Sequence, residues 1–403
     1  MKSGGLSKGR LRRMHNVMAG YVERGEVPGI VTLVSRRDEV HVDAIGMTAV
    51  SGSNPMRRDT IFRISSMTKP MTAVATMILV EECKLRLDEP VDRLLPELAD
   101  RKVLKQIDAP LDDTVPAIRP ITVRDLLTFR LGFGLILAPP GTYPIQQAVS
   151  EHFDSSGPPN PEGLAGPDEW LRRLGMLPLM HQPGEKWMYN TGSDVLGVLI
   201  ARASGQSLEA FLRERIFEPL GMNDTDFCVP TEKLDRFSTS YSVNPKTGTL
   251  EHYDDPKDSQ WNHLPAFPSG AGGLVSTIDD CLAFGRMLLN NGRHGRERIL
   301  SRPSVEIMTT DQLTPEQKAL SGYVPGYFDC HGWGFGVSIV TQRTQLGESV
   351  GSFGWDGGMG TSWRSDAREE MIGILMTQRM WISPSPPDVC RDFWTSAYQA
   401  IDD

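Results

Sequence analysis

The sequence predicts an α/β (α+β) fold in which segments from both ends of the chain build one domain around an inserted, mostly helical domain. β-branched runs follow the first amphipathic segment, and similar runs recur near the end of the chain. Between about residues 85 and 265 the apolar spacing is helical and strand alternation is scarce. With roughly 150 residues per domain, 403 residues allow more than one unit. We therefore predict an α/β domain of residues 1–85 and 266–403 and an inserted helical, loop-rich domain of residues 86–265.

The first elements are a helix, a hairpin and a buried helix. Apolar residues from Leu11 to Val22 recur every three or four positions, which predicts an amphipathic helix that ends near Gly25. The runs 30–34 and 40–45 flank a polar turn at 36–39, and this pattern predicts a hairpin. The apolar run 71–80 is about half as long as a membrane span, so we interpret it as a buried helix.

The later elements follow from the same two periodicities. Helical spacing is found in residues 123–129, 170–174, 194–203 and 208–216. Strands are expected at residues 333–340, 361–365 and 371–376, and a closing helix at residues 389–401. Two long connections, residues 132–167 and 221–270, are rich in Gly, Pro, Asn and Asp, and we expect them to border the functional site.

Composition excludes several classes of function. Asp plus Glu outnumber Lys plus Arg by 51 to 42, the net charge is -9, and no basic stripe occurs, so nucleic acid is not expected as a partner. The five cysteines are far apart and form neither a Cys-x-x-Cys pair nor a Cys/His cluster, so no metal site is expected. The positive N-terminus lacks an apolar signal core, and no run of 18 apolar residues occurs. We therefore expect a cytoplasmic protein without a membrane partner.

The most informative motif is Ser66-Met67-Thr68-Lys69 at the start of the apolar run 71–80. A serine and a lysine three residues apart on a helix lie on one face, so Lys69 can hydrogen-bond the Ser66 hydroxyl. A serine hydroxyl needs such a proton acceptor to act as a nucleophile. The tetrapeptide alone fits equally an N-cap serine followed by an exposed lysine.

Two further segments carry possible chemistry. Tyr189 ends an extended Pro-Gly segment just before a predicted helix, and a neighbouring ammonium such as that of Lys69 is expected to lower the pKa of the tyrosine from about 10. Residues 352–363 are rich in glycine and enter a predicted strand, where a backbone N–H opposite that of Ser66 would complete an oxyanion hole. The alternatives are a half-buried structural tyrosine and a plain loop.

These three segments, in this order and with the stretch 267–280 between the second and third, resemble the class C β-lactamase and DD-peptidase superfamily. The closest likeness is to its esterase branch, the family VIII bacterial carboxylesterases, over about residues 10–400. The resemblance implies a β-lactamase/transpeptidase-like fold with an antiparallel sheet flanked by helices. It also implies that Ser66 is the acylated nucleophile, Lys69 its partner and Tyr189 the base, and that Gly358 and Ser66 form the oxyanion hole.

The chain also departs from that superfamily. Trp355-Asp356-Gly357 stands where β-lactamases and peptidases carry Lys-Thr-Gly, and it is similar to the Trp-Gly-Gly of the esterase branch. Thr191 occupies the asparagine position of the Tyr-x-Asn element unless Asn190 serves in a shifted register. We expect Trp355, Asp356, Gly357 and Thr191 to bind substrate.

A third departure lies earlier in the chain. The usual His-Thr-Ser-Gly is replaced by Phe129-Arg130-Leu131-Gly132, for which the sequence gives no functional account.

We therefore interpret the chain as a cofactor-free serine carboxylesterase that acts on a small-molecule ester through an acyl-enzyme. The alternatives are a β-lactamase, D-amino-acid peptidase or acyltransferase of the same fold, and a non-catalytic, penicillin-binding-like sensor. The marks of α/β-hydrolases, zinc proteases and nucleotidases do not occur in the sequence. The sequence makes no prediction of the oligomeric state.

Trp355 leads to a prediction about substrate choice. A tryptophan offers apolar area and one N–H donor but no positive charge, so an anionic β-lactam loses its electrostatic anchor and a neutral ester does not. We expect kcat/KM for short-chain p-nitrophenyl esters to exceed that for nitrocefin or penicillin G at least roughly 100-fold, about 2.7 kcal/mol of discrimination. Initial rates measured side by side test this. Efficient β-lactam hydrolysis would overturn the esterase interpretation in favour of a β-lactamase.

Overall fold

The computed structural model describes residues 4–37, 39–153, 159–321 and 323–403. Three parts of the sequence predictions lie partly outside these residues. They are the turn of the first hairpin at Asp38, the extreme N-terminus at residues 1–3, and residues 154–158 of the first long connection.

Strands occur at both ends of the chain and in short pairs between them. In chain order they are β1 (Gly29–Arg36), β2 (Glu39–Gly46), β3 (Phe62–Arg63), β4 (Lys102–Leu104), β5 (Thr114–Pro116), β6 (Ser240–Val243), β7 (Leu250–Asp254), β8 (Val275–Ser276), β9 (Arg293–His294), β10 (Glu297–Arg298), β11 (His331–Trp333), β12 (Ser338–Val340), β13 (Phe353–Gly357), β14 (Thr361–Asp366) and β15 (Met371–Thr377).

Helices fill the middle of the chain and close its end. They are α1 (Lys8–Glu23), α2 (Thr68–Glu81), α3 (Val123–Leu127), α4 (Pro144–Phe153), α5 (Pro167–Met176), α6 (Thr191–Ser204), α7 (Leu208–Leu212), α8 (Glu218–Leu220), α9 (Ile278–Leu289), α10 (Arg302–Met308), α11 (Pro315–Leu320), α12 (Tyr327–Cys330) and α13 (Asp388–Gln399). A π-helical turn, Arg213–Phe217, joins α7 to α8.

The main sheet joins the two ends of the chain. Its seven antiparallel strands have the order β11-β12-β13-β14-β15-β1-β2. The N-terminal hairpin meets the C-terminal strands where β1 pairs with β15, for example at Leu33 and Ile374. The expected mixed fold with a large antiparallel sheet and helices is therefore confirmed. The largest apolar cluster contains side chains from this sheet and from the middle helices, and the domain boundaries at residues 85 and 265 stay a prediction.

The elements differ from the sequence predictions in three places. Residues 333–340 are not one strand, because a turn at Gly336 with φ 71° separates β11 from its antiparallel partner β12. β13 was not expected, because its glycines mask the strand pattern. The long connections contain regular structure, namely helix α4 and the hairpin of β6 and β7.

Helix α2 lies in the core, and this explains its sequence. Thr68 through Leu79 are all buried, so the helix is surrounded by protein on every side and its sequence is not amphipathic. β3 leads into it and pairs with β8, which places Arg63 opposite Val275. The Thr361 hydroxyl of β14 donates to the carbonyl of Ile64 at 3.2 Å. The start of α2 is thereby attached to the main sheet.

No single helix of the described residues is long and apolar enough to cross a membrane. One pair of helical segments, Thr191–Ser204 with Leu208–Leu220, passes that test together by length and composition but is bent by 80°.

A buried ion pair fixes the strand that precedes α2. Arg63 donates to the Asp254 carboxylate and to the Ser238 carbonyl, and the Arg63 and Asp254 side chains are 2% and 3% exposed. The guanidinium also lies 3.9 Å from the ring centroid of Phe237. Burial lowers the pKa of Arg63 to about 10, yet leaves the group charged at neutral pH. The pair connects β3 to the β6–β7 hairpin.

We expect Arg63→Met to lower the free energy of unfolding by about 3–5 kcal/mol, because it leaves the Asp254 carboxylate buried without its partner. Arg58→Met is the matched control. It removes an ion pair to Asp279 whose side chains are 54% and 44% exposed, and such pairs contribute at most about 1 kcal/mol. Urea unfolding followed by circular dichroism measures both. Equal losses in the two variants would contradict a stabilising role for the buried pair.

Candidate active site

Ser66 and Lys69 meet at the start of α2, as the sequence predicts. Ser66 lies in a short 3-10 turn, Ser65–Met67, that leads directly into the helix. The Lys69 ammonium lies 2.9 Å from the Ser66 hydroxyl oxygen and donates to the carbonyl of Ala271 at 2.7 Å. Ser65, the residue before the nucleophile candidate, has φ 45°, a conformation that non-glycine residues rarely adopt. The turn thus presents Ser66 to Lys69 on one side and to an open cleft on the other.

The environment of Lys69 favours its neutral form. The side chain is 0% exposed, and this burial lowers the pKa of Lys69, while the nearby Asp194 carboxylate offsets part of the effect. Asp194 itself accepts hydrogen bonds from the Ser269 hydroxyl at 2.6 Å and the Ala271 N–H at 3.1 Å. Burial raises the pKa of Asp194. A lysine in this state can accept the proton of Ser66.

Tyr189 is held by backbone contacts with the segment that follows α3. The Met188 N–H donates to the Phe129 carbonyl at 2.8 Å, and the Leu135 N–H donates to the Tyr189 carbonyl at 2.9 Å. Gly134 is required here, because a Cβ at this position would lie 2.7 Å from the Tyr189 carbonyl oxygen. Lys69 Nζ lies 4.5 Å from the centroid of the Tyr189 ring. The structure therefore brings Ser66, Lys69 and Tyr189 together.

The prediction that the pKa of Tyr189 is lowered is wrong. Burial raises the pKa of Tyr189 above 10, and hydrogen bonds with Ser66 and Trp355 offset only part of that rise. The expectation assumed that the Lys69 ammonium would stabilise a phenolate, but burial also favours neutral Lys69. Tyr189 is accordingly a neutral phenol, able to donate a proton, beside a lysine that can accept one.

Trp355 contacts this tyrosine directly. Its indole N–H donates to the Tyr189 hydroxyl oxygen at 2.8 Å, and its side chain is 3% exposed. The N–H donor that was expected to meet substrate is therefore already engaged by Tyr189. Trp355 lies on the cleft wall through its ring and orients the phenol.

Phe129 belongs to an aromatic cluster around Tyr189, and this gives the Phe129 departure a structural account. Its ring centroid lies 4.9 Å from that of Trp333, 5.9 Å from that of Tyr189 and 6.0 Å from that of Trp187. It is fully buried and has φ 57°. The cluster excludes water from one side of the tyrosine.

Some of the other residues expected in the site line an open cleft beside Ser66. A cleft of about 530 Å³ is lined by Ser66, Tyr189, Trp355, Asp356 and Gly358, among others. Asp356 forms a bidentate ion pair with Arg364 at 2.9 and 2.8 Å, so its carboxylate is already occupied.

Two expected residues do not line this cleft. Gly357 lies against the Ile64 carbonyl oxygen, 2.2 Å from where a Cβ would stand, and Thr191 is the first residue of α6. Gly357 and Thr191 are therefore parts of the fold beside the cleft and do not form its wall. The roles assigned to all the site residues stay predictions.

Sequence reasoning missed the groups that surround Lys69. Asp194 lies on α6 five residues after Tyr189, and the Ala271 carbonyl lies in the stretch 267–280, to which the sequence analysis assigned no contact with Lys69. A carboxylate in an apolar helical run was the available signal for Asp194. Within the described ranges, no three His, Cys, Asp or Glu side chains gather where they could hold a metal ion.

The chain is similar to proteins of a known family over most of its length. A family model named Beta-lactamase matches residues 14–389. Protein Rv1367c of Mycobacterium tuberculosis is 39% identical over 362 residues, 88% of this chain and 87% of that protein. Esterase EstB of Burkholderia gladioli is 29% identical over 379 residues, 89% of this chain and 88% of that protein. EstCE1, a hydrolase with promiscuous acyltransferase activity, has a similar structure with a TM-score of 0.80 at 24% identity, covering 97% of this chain and 99% of that chain.

The lowered pKa of Lys69 leads to a prediction about Ser66. If neutral Lys69 accepts the Ser66 proton, the rate of labelling by a fluorophosphonate probe rises with pH as Lys69 loses its proton. The midpoint is expected below about 10.4, the ordinary lysine value, because burial lowers the pKa of Lys69. Tyr189→Phe should keep this midpoint, whereas Lys69→Met should lose the rise. A rise of the same size and midpoint in Lys69→Met would show that another group is the base.

Proposed function

Because the chain belongs to the β-lactamase family, we propose that it is a serine hydrolase that cleaves carboxylic esters through an acyl-enzyme on Ser66. The observation that carries this proposal is the 2.9 Å contact between Lys69 Nζ and the Ser66 hydroxyl at the wall of an open cleft. The 29% identity to an esterase supports the ester as the bond that is cleaved. β-Lactams are less favoured, since their carboxylate lies on the ring beside the reacting bond and Trp355 offers no positive charge there.

The proposed acylation uses two proton-transfer groups. The Ser66 oxygen attacks the ester carbonyl carbon, and its proton passes to neutral Lys69. The N–H groups of Ser66 and Gly358 are proposed to bind the oxyanion. When the C–O bond breaks, the Tyr189 phenol donates its proton to the leaving alkoxide, and Lys69 returns a proton to Tyr189.

Deacylation uses the same groups in reverse. A water molecule attacks the acyl carbonyl carbon and gives its proton to neutral Lys69. The bond to the Ser66 oxygen then breaks, and this oxygen receives the proton back from Lys69. The carboxylic acid leaves and the serine hydroxyl is restored. The hydrogen bond from Trp355 holds the Tyr189 oxygen in one position through both half-reactions.

Acyl transfer to an alcohol is a second candidate. A volume of about 530 Å³ accommodates an acceptor molecule beside the acyl group. Aromatic side chains, including Tyr189, Tyr323, Tyr327 and Trp355, form part of its wall. An alcohol would then take the place of water in the second half-reaction. We include this reaction among the tests because the fold is similar to that of a hydrolase with acyltransferase activity.

We expect Ser66→Ala to abolish ester turnover while the fold stays intact, because loss of a hydroxyl at a helix start costs only about 0.5–2 kcal/mol. Ser65→Ala is the matched control. It removes a neighbouring hydroxyl that makes no hydrogen bond with any other described residue. Hydrolysis of p-nitrophenyl butyrate and the melting temperature are measured for both variants. A folded Ser66→Ala variant with near wild-type turnover would place the nucleophile elsewhere, with Ser65 the first residue to examine.

The fate of labelled Ser66 separates the alternatives. Rapid recovery after reaction with an activated ester indicates turnover, whereas a permanent adduct with penicillin indicates a sensor or peptidase-like trap. Butanol added to the assay reports acyl transfer as butyl ester. The absence of any adduct on a folded protein would contradict the proposal.

A further inference from the structure

A second cavity lies beside the cleft and is assigned no role above. We call it the side pocket. It has a volume of about 220 Å³ and is lined by Ile107, Leu135, Leu137, Tyr143, His181 and Lys186, among others. Leu135, Tyr189 and Tyr323 line both the side pocket and the cleft that contains Ser66. A group in the side pocket is therefore next to the proposed proton donor.

The wall of the side pocket is mostly aliphatic and aromatic. Three consecutive residues of the long connection after α3, Leu135, Ile136 and Leu137, contribute to it, and Ile107 adds another aliphatic side chain. Leu135 and Leu137 are 49% and 46% exposed. Burying such accessible apolar side chains under an apolar ligand is favourable, because it removes their surface from water.

One cation stands in this apolar wall. Lys186 is the one Lys or Arg among the residues that line the side pocket, and no Asp or Glu lines it. Within the part of the chain that the structure describes, Lys186 has no carboxylate within ion-pair distance. The adjacent Glu185 carboxylate accepts from the Gln182 N–H at 3.0 Å. Burial and the charge of Lys186 lower the pKa of His181, so this imidazole does not compete as a second cation near pH 7.

The other polar residues in the wall are three tyrosines and one histidine, and none of them is a carboxylate. With a cation and no acceptor carboxylate, the polar part of the pocket is complementary to an anion.

The volume limits the size of the ligand. At roughly 30 Å³ per water molecule, about 220 Å³ holds roughly seven water molecules or a chain of a few carbons with a polar end. Larger ligands would have to extend into the cleft through the boundary that Leu135, Tyr189 and Tyr323 form.

We infer that the side pocket binds a short apolar group that ends in a carboxylate, with the carboxylate at Lys186. This inference rests on the proposed function and names its substrate class, namely esters in which one half carries a free carboxylate. A β-lactam is a different case, because its carboxylate is fixed on the ring beside the reacting bond, where Trp355 offers no charge. The carboxylate can belong to the acyl half or to the alcohol half, and the two sources are tested separately.

The first test compares anionic with neutral esters of matched length. For the acyl half the pair is mono-p-nitrophenyl adipate and p-nitrophenyl hexanoate. For the alcohol half it is 5-(butanoyloxy)pentanoate and pentyl butanoate, followed by acid release. In at least one pair, Lys186→Met should lower the ratio of kcat/KM, anionic over neutral, at least 10-fold. Lys186→Arg should keep it.

Lys257→Met is the control for net charge. Lys257 is exposed, lines neither cavity, and its replacement changes the protein's charge by the same amount. The ratio should stay at the wild-type value in this variant. If Lys186→Met leaves both ratios unchanged, or if Lys257→Met lowers them equally, the inference is overturned while the proposed esterase function stands.

A binding measurement separates the inference from turnover. Hexanoate is titrated into the full chain and followed by tryptophan fluorescence, with hexanol as the neutral probe. Hexanoate should bind at least 10-fold more tightly than hexanol, and Lys186→Met should remove this difference. If no ester is cleaved but the difference is found, the side pocket stands and the proposed function fails. Equal binding of the two probes overturns the inference.

Discussion

The arrangement of the site depends on a lysine that is fully buried. Placing the Lys69 ammonium in the core requires acceptors for its donors, and the Ser66 hydroxyl and the Ala271 carbonyl provide two of them. The Ala271 N–H in turn donates to the Asp194 carboxylate, so α6, the segment before β8 and α2 are fixed relative to one another. Burying a charged ammonium in this position costs free energy, so the neutral amine of Lys69 is favoured. A neutral amine is a base. The packing that buries Lys69 therefore also lowers its pKa.

The same burial determines the protonation states of Lys69 and Tyr189. Desolvation disfavours ions of either sign, so it moves the pKa of the lysine down and that of the tyrosine up. The aromatic cluster around Tyr189 enforces this, because Phe129, Trp187 and Trp333 replace water on its inner face. The proposed roles agree with these shifts, with Lys69 as the proton acceptor and Tyr189 as the proton donor.

Sequence reasoning predicted the parts of the site that depend on local spacing. Ser66 and Lys69 are three residues apart on one helix, so their contact follows from helical geometry. The sheet was predicted as far as its strands are β-branched, and β13 was missed because glycines interrupt it. The contact between Trp355 and Tyr189 joins residues 166 positions apart in the chain, and no local pattern encodes it. The sign of the pKa shift of Tyr189 also depends on burial by distant side chains, which spacing does not reveal.

Two adjacent glycines of the cleft differ in what they permit. Gly357 stands so close to the Ile64 carbonyl that any side chain would push β13 away from the turn that carries Ser66, whereas a Cβ at Gly358 would meet no atom within 4 Å. Of these two positions, only residue 358 can therefore accept a side chain without moving the backbone. A lineage can vary residue 358 to reshape the cleft while its backbone N–H stays where it is. The close contact at Gly357 and the open space at Gly358 thus separate the position that keeps the backbone in place from the position that can change the shape of the cleft.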